Sequence, residues 1–210
     1  RPFGAGTAVP AAPFQGVMSP PVFKIGSLLA EGDLPIVHEL DELLEGLEFQ
    51  VSIRNRNSKQ LDSNIDKMIE QALKNRFRTS ENKTELLVKT DGKKIGELDL
   101  IFWDRGKRQY FLEIEKTNKK TLWFDYVKLL TKVAEHSGSY GIIACPRNYA
   151  HSLGVWDLYK EALAYKGHLR RLFGGELLNR IGAVGYTQYA FLDDRWIAFD
   201  QNVIKRIKDS

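Results

Sequence analysis

The chain is poor in the side chains that make covalent or soft-metal frameworks. It has one cysteine, Cys145. One thiol excludes an internal disulfide framework and a cysteine-rich zinc site, and a reducing cytoplasm is the expected compartment. The four histidines, His38, His136, His151 and His168, are scattered, with no close metal-binding pair. No apolar run reaches the length of a membrane span, and the N-terminus lacks a charged-then-apolar signal pattern. Residues 1–22 carry strings such as Gly4-Ala5-Gly6-Thr7-Ala8-Val9-Pro10. Such a stretch cannot pack a core alone and reads as an extended arm or an expression remnant.

What remains is enough for one domain, expected over residues 23–210. The 210 residues are 43% hydrophobic, and the net charge is +4. That charge permits a polyanionic partner without demanding one. Local clusters say more. Arg54-Asn55-Arg56-Asn57-Ser58-Lys59 reads as a basic loop, and Arg105, Lys107 and Arg108 crowd a turn.

The richest stretch is Gly96-Glu97-Leu98-Asp99-Leu100-Ile101, followed after a turn by Phe111-Leu112-Glu113-Ile114-Glu115-Lys116. Both halves alternate apolar and acidic residues, as strands do. Trp103-Asp104-Arg105-Gly106-Lys107 is a turn-forming string, so the two strands are expected to pair as a hairpin. Opposed side chains in such a pair lie about 5 Å apart at Cβ. Carboxylates at that spacing suit a shared divalent cation.

Around this hairpin the periodicity predicts a helix from Ile36 to Leu47, a strand from Phe49 to Ile53 and a helix from Leu61 to Arg78. Ser63 with Asp66 resembles an N-terminal cap. Strands follow at Glu85–Thr90, Lys93–Trp103 and Arg108–Lys116, the first turning at Asp91-Gly92. A helix is expected from Thr121 to about Glu135, with Leu122, Tyr126, Leu129, Leu130 and Val133 inward and Lys128 and Lys132 on the exposed side. Tyr140 to Cys145 is apolar without alternation, the mark of a parallel strand covered on both faces. A helix over Leu153–Phe173, a hairpin of Val184–Leu192 with Arg195–Phe199, and a helix over Gln201–Lys208 complete the reading.

The order helix, three strands, helix, strand over residues 61–145, with Gly-Glu-Leu-Asp in the second strand and Glu-x-Glu in the third, resembles the PD-(D/E)XK nuclease superfamily. The likeness is to its restriction-enzyme and junction-resolvase branches. It implies an α/β, restriction-endonuclease-like mixed sheet core flanked by helices, with residues 146–210 as a C-terminal extension. It implies metal-dependent hydrolysis of DNA, with Mg²⁺ as cofactor and Mn²⁺ as substitute. By position, Asp99, Glu113 and the carbonyl of Ile114 are the implied metal ligands. Glu115 falls where the superfamily commonly has lysine, and Glu70 matches a helix-borne acid. Lys128 on the next helix is a remote substitute for that lysine. Lys116, Lys119 and Lys120, with Arg54 and Arg56, are the expected DNA contacts. A homodimer would supply the two sites that cutting two strands needs. The alternative is a DNA-binding or assembly module that kept the fold and lost turnover, which Glu115 at the lysine position favours. A third reading is a solvated acidic sheet face.

Overall fold

The computed structural model describes residues 22–55, 60–80, 96–151 and 154–209. In chain order the elements are β1 (Phe23–Glu31), α1 (Val37–Leu44), β2 (Glu48–Phe49), β3 (Val51–Asn55), β4 (Gln60–Ser63), α2 (Ile65–Arg76) and β5 (Arg78–Thr79). Then come β6 (Leu100–Trp103), β7 (Gln109–Ile114), α3 (Leu122–Glu135), β8 (Tyr140–Pro146), β9 (Tyr149–His151) and β10 (Gly154–Trp156). The chain ends with α4 (Leu158–Phe173), β11 (Ile181–Leu192), β12 (Arg195–Ala198) and α5 (Gln201–Asp209).

Eight strands form one mixed sheet in the order β2-β1-β11-β8-β7-β6-β5, with β12 also paired to β11. The sheet is strongly curled, and helices flank it. Its centre is parallel, because β8 pairs in parallel with both β7 and β11. The expected α/β class and the doubly covered β8 are both present. Ile142 and Ala144 enter one core while Ile143 and Cys145 enter the other, so every residue from Gly141 to Pro146 is buried.

Those two cores define the two sides of the sheet. On one side Ile65, Ile69 and Leu73 of α2 pack with Leu100, Phe102, Leu112 and Ile114. On the other, Leu122, Tyr126, Leu129 and Val133 of α3 and Leu158, Ala162 and Leu169 of α4 pack with Ile101, Phe111 and Ile143. Successive strand residues point to opposite sides. Hence Phe111 and Glu113 face α3, whereas Leu112 and Ile114 face α2.

Several boundaries differ from the sequence expectation. The helix expected at Leu61 starts at Ile65, because Gln60–Ser63 pairs with Val51–Asn55 as a two-stranded ribbon. Arg54 and Asn55 therefore lie in a strand rather than a loop, and Arg56 lies outside the described residues. Asn64 holds the cap position of α2, and Ser63 Oγ instead accepts the Ile65 N–H at 3.2 Å. The helix expected from Leu153 starts at Leu158, where the Asp157 side chain accepts the Lys160 N–H, and β10 occupies Gly154–Trp156. Of the strand expected over Lys93–Trp103, residues 96–99 are not in strand and β6 covers Leu100–Trp103, while residues 93–95 and Glu85–Thr90 with its Asp91-Gly92 turn lie outside the described residues. β1 had no counterpart in the sequence reading. It pairs with β11 across a register shift between Ile25 and Leu28.

The C-terminal hairpin matches expectation. Asp193 and Asp194 have φ of 51° and 57°, so both turn residues adopt the left-handed conformation of a type I′ turn. No helix among the described residues is long and apolar enough to cross a membrane.

Candidate functional site

Asp99 closes the hairpin at the open end of β6. Its backbone N–H donates to the Leu112 carbonyl at 3.2 Å, and its Oδ2 accepts the Ile114 N–H at 2.6 Å. The side chain thus replaces the next ladder bond that β6 would have made. One residue along, Glu113 points from β7 towards α3 and is 3% exposed.

Lys128 of α3 meets it, and Asp125 of the same helix meets Lys128. The Lys128 ammonium donates to Glu113 Oε2 and lies 3.0 Å from Asp125 Oδ1. It also donates to the Glu97 carbonyl at 3.2 Å, which ties the segment before β6 to α3. The expected exposed placement of Lys128 and Lys132 is corrected: both are buried, and Lys132 pairs with Glu135 at 2.7 Å. At about 3.6 residues per turn Lys128 lies about 60° round the helix from Asp125 and about 100–120° from Leu129 and Leu122, at the margin of the stripe that faces the sheet. The long aliphatic stem is buried while its nitrogen reaches the acids.

The electrostatics follow from this crowding. Burial pushes the Glu113 carboxyl up to about 9, the nearby Asp99 charge adds to the rise, and Lys128 only partly opposes it. Burial likewise raises Asp125 to about 6 against the pull of Lys128. Burial works to lower the Lys128 pKa, but Glu113 and Asp125 outweigh it and hold the amine charged. Glu113 Oε1 is buried with no hydrogen-bond partner. An orphaned carboxylate oxygen in such a place is costly unless a proton or a cation satisfies it.

The remaining sequence candidates fall elsewhere. Both oxygens of Glu115 are engaged: Oε1 accepts the N–H groups of Thr117 and Asn118 at 2.8 Å, and Oε2 accepts the Thr121 hydroxyl. Glu115 thereby closes the turn that leads into α3. Glu70 stands on α2, across the sheet from Glu113, and pairs with Lys74 at 3.0 Å. Lys116 also turns to the α2 side, donating to the Ser63 carbonyl at 2.6 Å and pairing with Asp66 at 2.9 Å. Lys119 and Lys120 are exposed ahead of α3.

A cleft of about 660 Å³ lies on the α2 side, lined by Phe49, Asp62, Asp66, Met68 and Lys116 among others, and it includes neither Asp99 nor Glu113. Volume alone therefore does not mark the carboxylate cluster, whose evidence is its charge and burial. Sequence reasoning did not single out Asp125, although its spacing of three residues from Lys128 places both on one helix face. Among the described residues no group of three or more His, Cys, Asp or Glu side chains is arranged to hold a metal ion. No family model, curated protein or solved structure matches the chain.

Proposed function

We propose that the chain is a divalent-metal-dependent DNA endonuclease, of the PD-(D/E)XK kind that its motif order resembles. The observation that carries this reading is Lys128. The position just past β7 where that superfamily commonly has lysine holds Glu115, and an ammonium instead reaches the Glu113 carboxylate from α3. An acid pair plus a lysine is thereby assembled from three elements rather than two.

The chemistry of the donors is that of a hard-cation site, although among the described residues no group of three or more acids is gathered as one. Mg²⁺ commonly uses one or two protein carboxylates and keeps several waters, so Asp99 and Glu113, with the Ile114 carbonyl that the resemblance implies, would be its ligands. The orphaned Glu113 Oε1 is the atom that gains most from a cation. When bound, the ion would activate water and neutralise charge on the phosphate. Lys128 contributes a fixed positive charge to the developing negative charge at phosphorus. Asp125 holds that ammonium in place and keeps it charged.

The rival reading is a DNA-binding or assembly module without turnover. The same contact favours it, because the Lys128 nitrogen already occupies the Glu113 oxygen that a cation would contact. Purified protein incubated with supercoiled, linear and branched DNA in Mg²⁺ or Mn²⁺ separates the two. Nicking that disappears in EDTA and in Asp99→Ala supports hydrolysis. Intact DNA under all these conditions supports the module.

A further inference from the structure

Beside the carboxylate cluster, the first turn of α3 turns two aromatic rings outward. Trp123 is 39% exposed and Phe124 is 38% exposed, although Leu122 and Tyr126 of the same helix are fully buried. Trp123 rests edge-on against Tyr165, with ring centroids 6.3 Å apart. The Phe124 ring lies 5.5 Å from the Lys128 ammonium, the same nitrogen that contacts Glu113. Its edge also covers Gly96, where an added Cβ would meet the ring at 3.2 Å. Both rings are therefore braced at one edge and open at another. The exposed Lys119 and Lys120 immediately precede them, Lys119 lying 3.8 Å from Glu161 and 5.7 Å from the Trp156 ring centre.

We infer that Trp123 and Phe124 form a stacking platform for unpaired nucleobases, flanked by lysines for the adjoining phosphates, so that the substrate is DNA with a single-stranded segment. The inference rests on the nuclease reading and names its substrate class. In a continuous duplex the base faces are stacked on one another and closed to such rings. An unpaired base presents a free face, and stacking on an aromatic ring contributes about 1–3 kcal/mol per base, or roughly 5- to 150-fold in affinity. The charges agree with this occupant. A polyanion brings phosphates to Lys120 and, in exchange for the exposed Glu161 pairing, to Lys119, while an apolar protein partner would have to desolvate both.

The test measures binding by fluorescence anisotropy with metal chelated, so that cleavage does not intervene. The probes are a labelled single-stranded oligonucleotide and a labelled blunt hairpin duplex. Trp123→Ala/Phe124→Ala should lose roughly tenfold or more in affinity for the single strand and little for the duplex. Trp123→Phe/Phe124→Tyr, which keeps two aromatic faces, should stay near the parent. The parent's intrinsic tryptophan emission should be quenched by the single strand, and less so in Trp123→Phe. Equal losses on both probes, or no loss on the single strand, would overturn the inference. So would a parent dimer, seen by sedimentation, that the alanine variant dissolves, because the rings would then belong to a protein interface. If single-strand binding depends on the rings but no DNA is cut in Mg²⁺ or Mn²⁺, the platform stands and the hydrolysis reading fails.

Discussion

Lys128 of α3 donates to Glu113 of β7 inside the protein, where the two side chains are only 8% and 5% exposed. Asp125 shares the same ammonium at 3.0 Å. One cation thus serves two buried acids, and a third, Asp99, lies near enough to raise the Glu113 pKa. At neutral pH Glu113 keeps its proton, so removing the cation chiefly leaves the ionised Asp125 without a countercharge. Lys128→Met should destabilise the protein by about 3–5 kcal/mol, the usual loss when one partner of a buried pair goes. Adding Asp125→Asn should return part of that loss, because the neutral amide needs no countercharge. Urea denaturation of both variants measures the difference. Equal stabilities of Lys128→Met and the parent would show that the pair is exposed in solution.

The raised Glu113 pKa sets a direction for the metal-free protein. Its folded value of about 9 lies above the ordinary 4.5, so the folded state holds a proton that the unfolded state releases between those values. The associated stability is complete below 4.5 and falls as pH rises towards 9. Asp125, raised to about 6, contributes in the same direction only at the acid end. Between about pH 6 and 9 the decline should therefore be mainly that of Glu113, at most about 1.4 kcal/mol per pH unit. Glu113→Gln should flatten it. A parent whose denaturation midpoint does not move over this range would contradict the assignment.

Asp104 predicts the opposite sign. Burial acts to raise its carboxyl, but the Arg108 backbone and guanidinium and the Tyr110 hydroxyl together hold it below the ordinary 3.8. These donors lie at 2.9, 2.6 and 3.1 Å and lock the turn between β6 and β7. A depressed folded value means that the stabilisation is present above 3.8 and lost as pH falls through the folded value. Asp104→Asn should cost about 1–3 kcal/mol at neutral pH, and its gap to the parent should narrow below about pH 4. Thermal melting at several pH values checks both statements.

Glu115 is expected to be a turn residue first. Three donors satisfy its two oxygens. Glu115→Ala should cost about 1–2 kcal/mol, as loss of a helix-capping acceptor does. It should also speed amide exchange at Thr117 and Asn118. Unchanged exchange with a sharp fall in turnover would return Glu115 to the catalytic set.

Alternation and helical spacing carried the reading of the centre of the molecule. The unbroken apolar run of Tyr140–Cys145 announced the strand with two covered faces, and the α3 stripe announced its buried side. The pattern also placed Asp99 and Glu113 at neighbouring ends of a hairpin. It misjudged Lys128 because lysine on a helix normally faces water, and only the acids on β7 and α3 make burial tolerable. Glu115 was similarly hidden. Its partners are backbone N–H groups three residues or fewer away and a threonine hydroxyl, and a turn of that kind has no periodic signature. Glu70 and Lys116 failed to join the site for a topological reason, since the sheet separates α2 from α3. The ribbon of β3 and β4 took the first residues expected of α2, because Leu61 and Ser63 fit a strand as readily as a first helical turn.

The account stands most directly on the single-turnover rate of Mg²⁺-dependent DNA cleavage in Lys128→Met, measured at saturating DNA and below the variant's melting temperature. If Lys128 supplies the positive charge that Glu115 cannot, the rate should fall by about 10²- to 10³-fold while DNA affinity stays within a few-fold of the parent. A folded Lys128→Met protein that cleaves at the parent rate would contradict it.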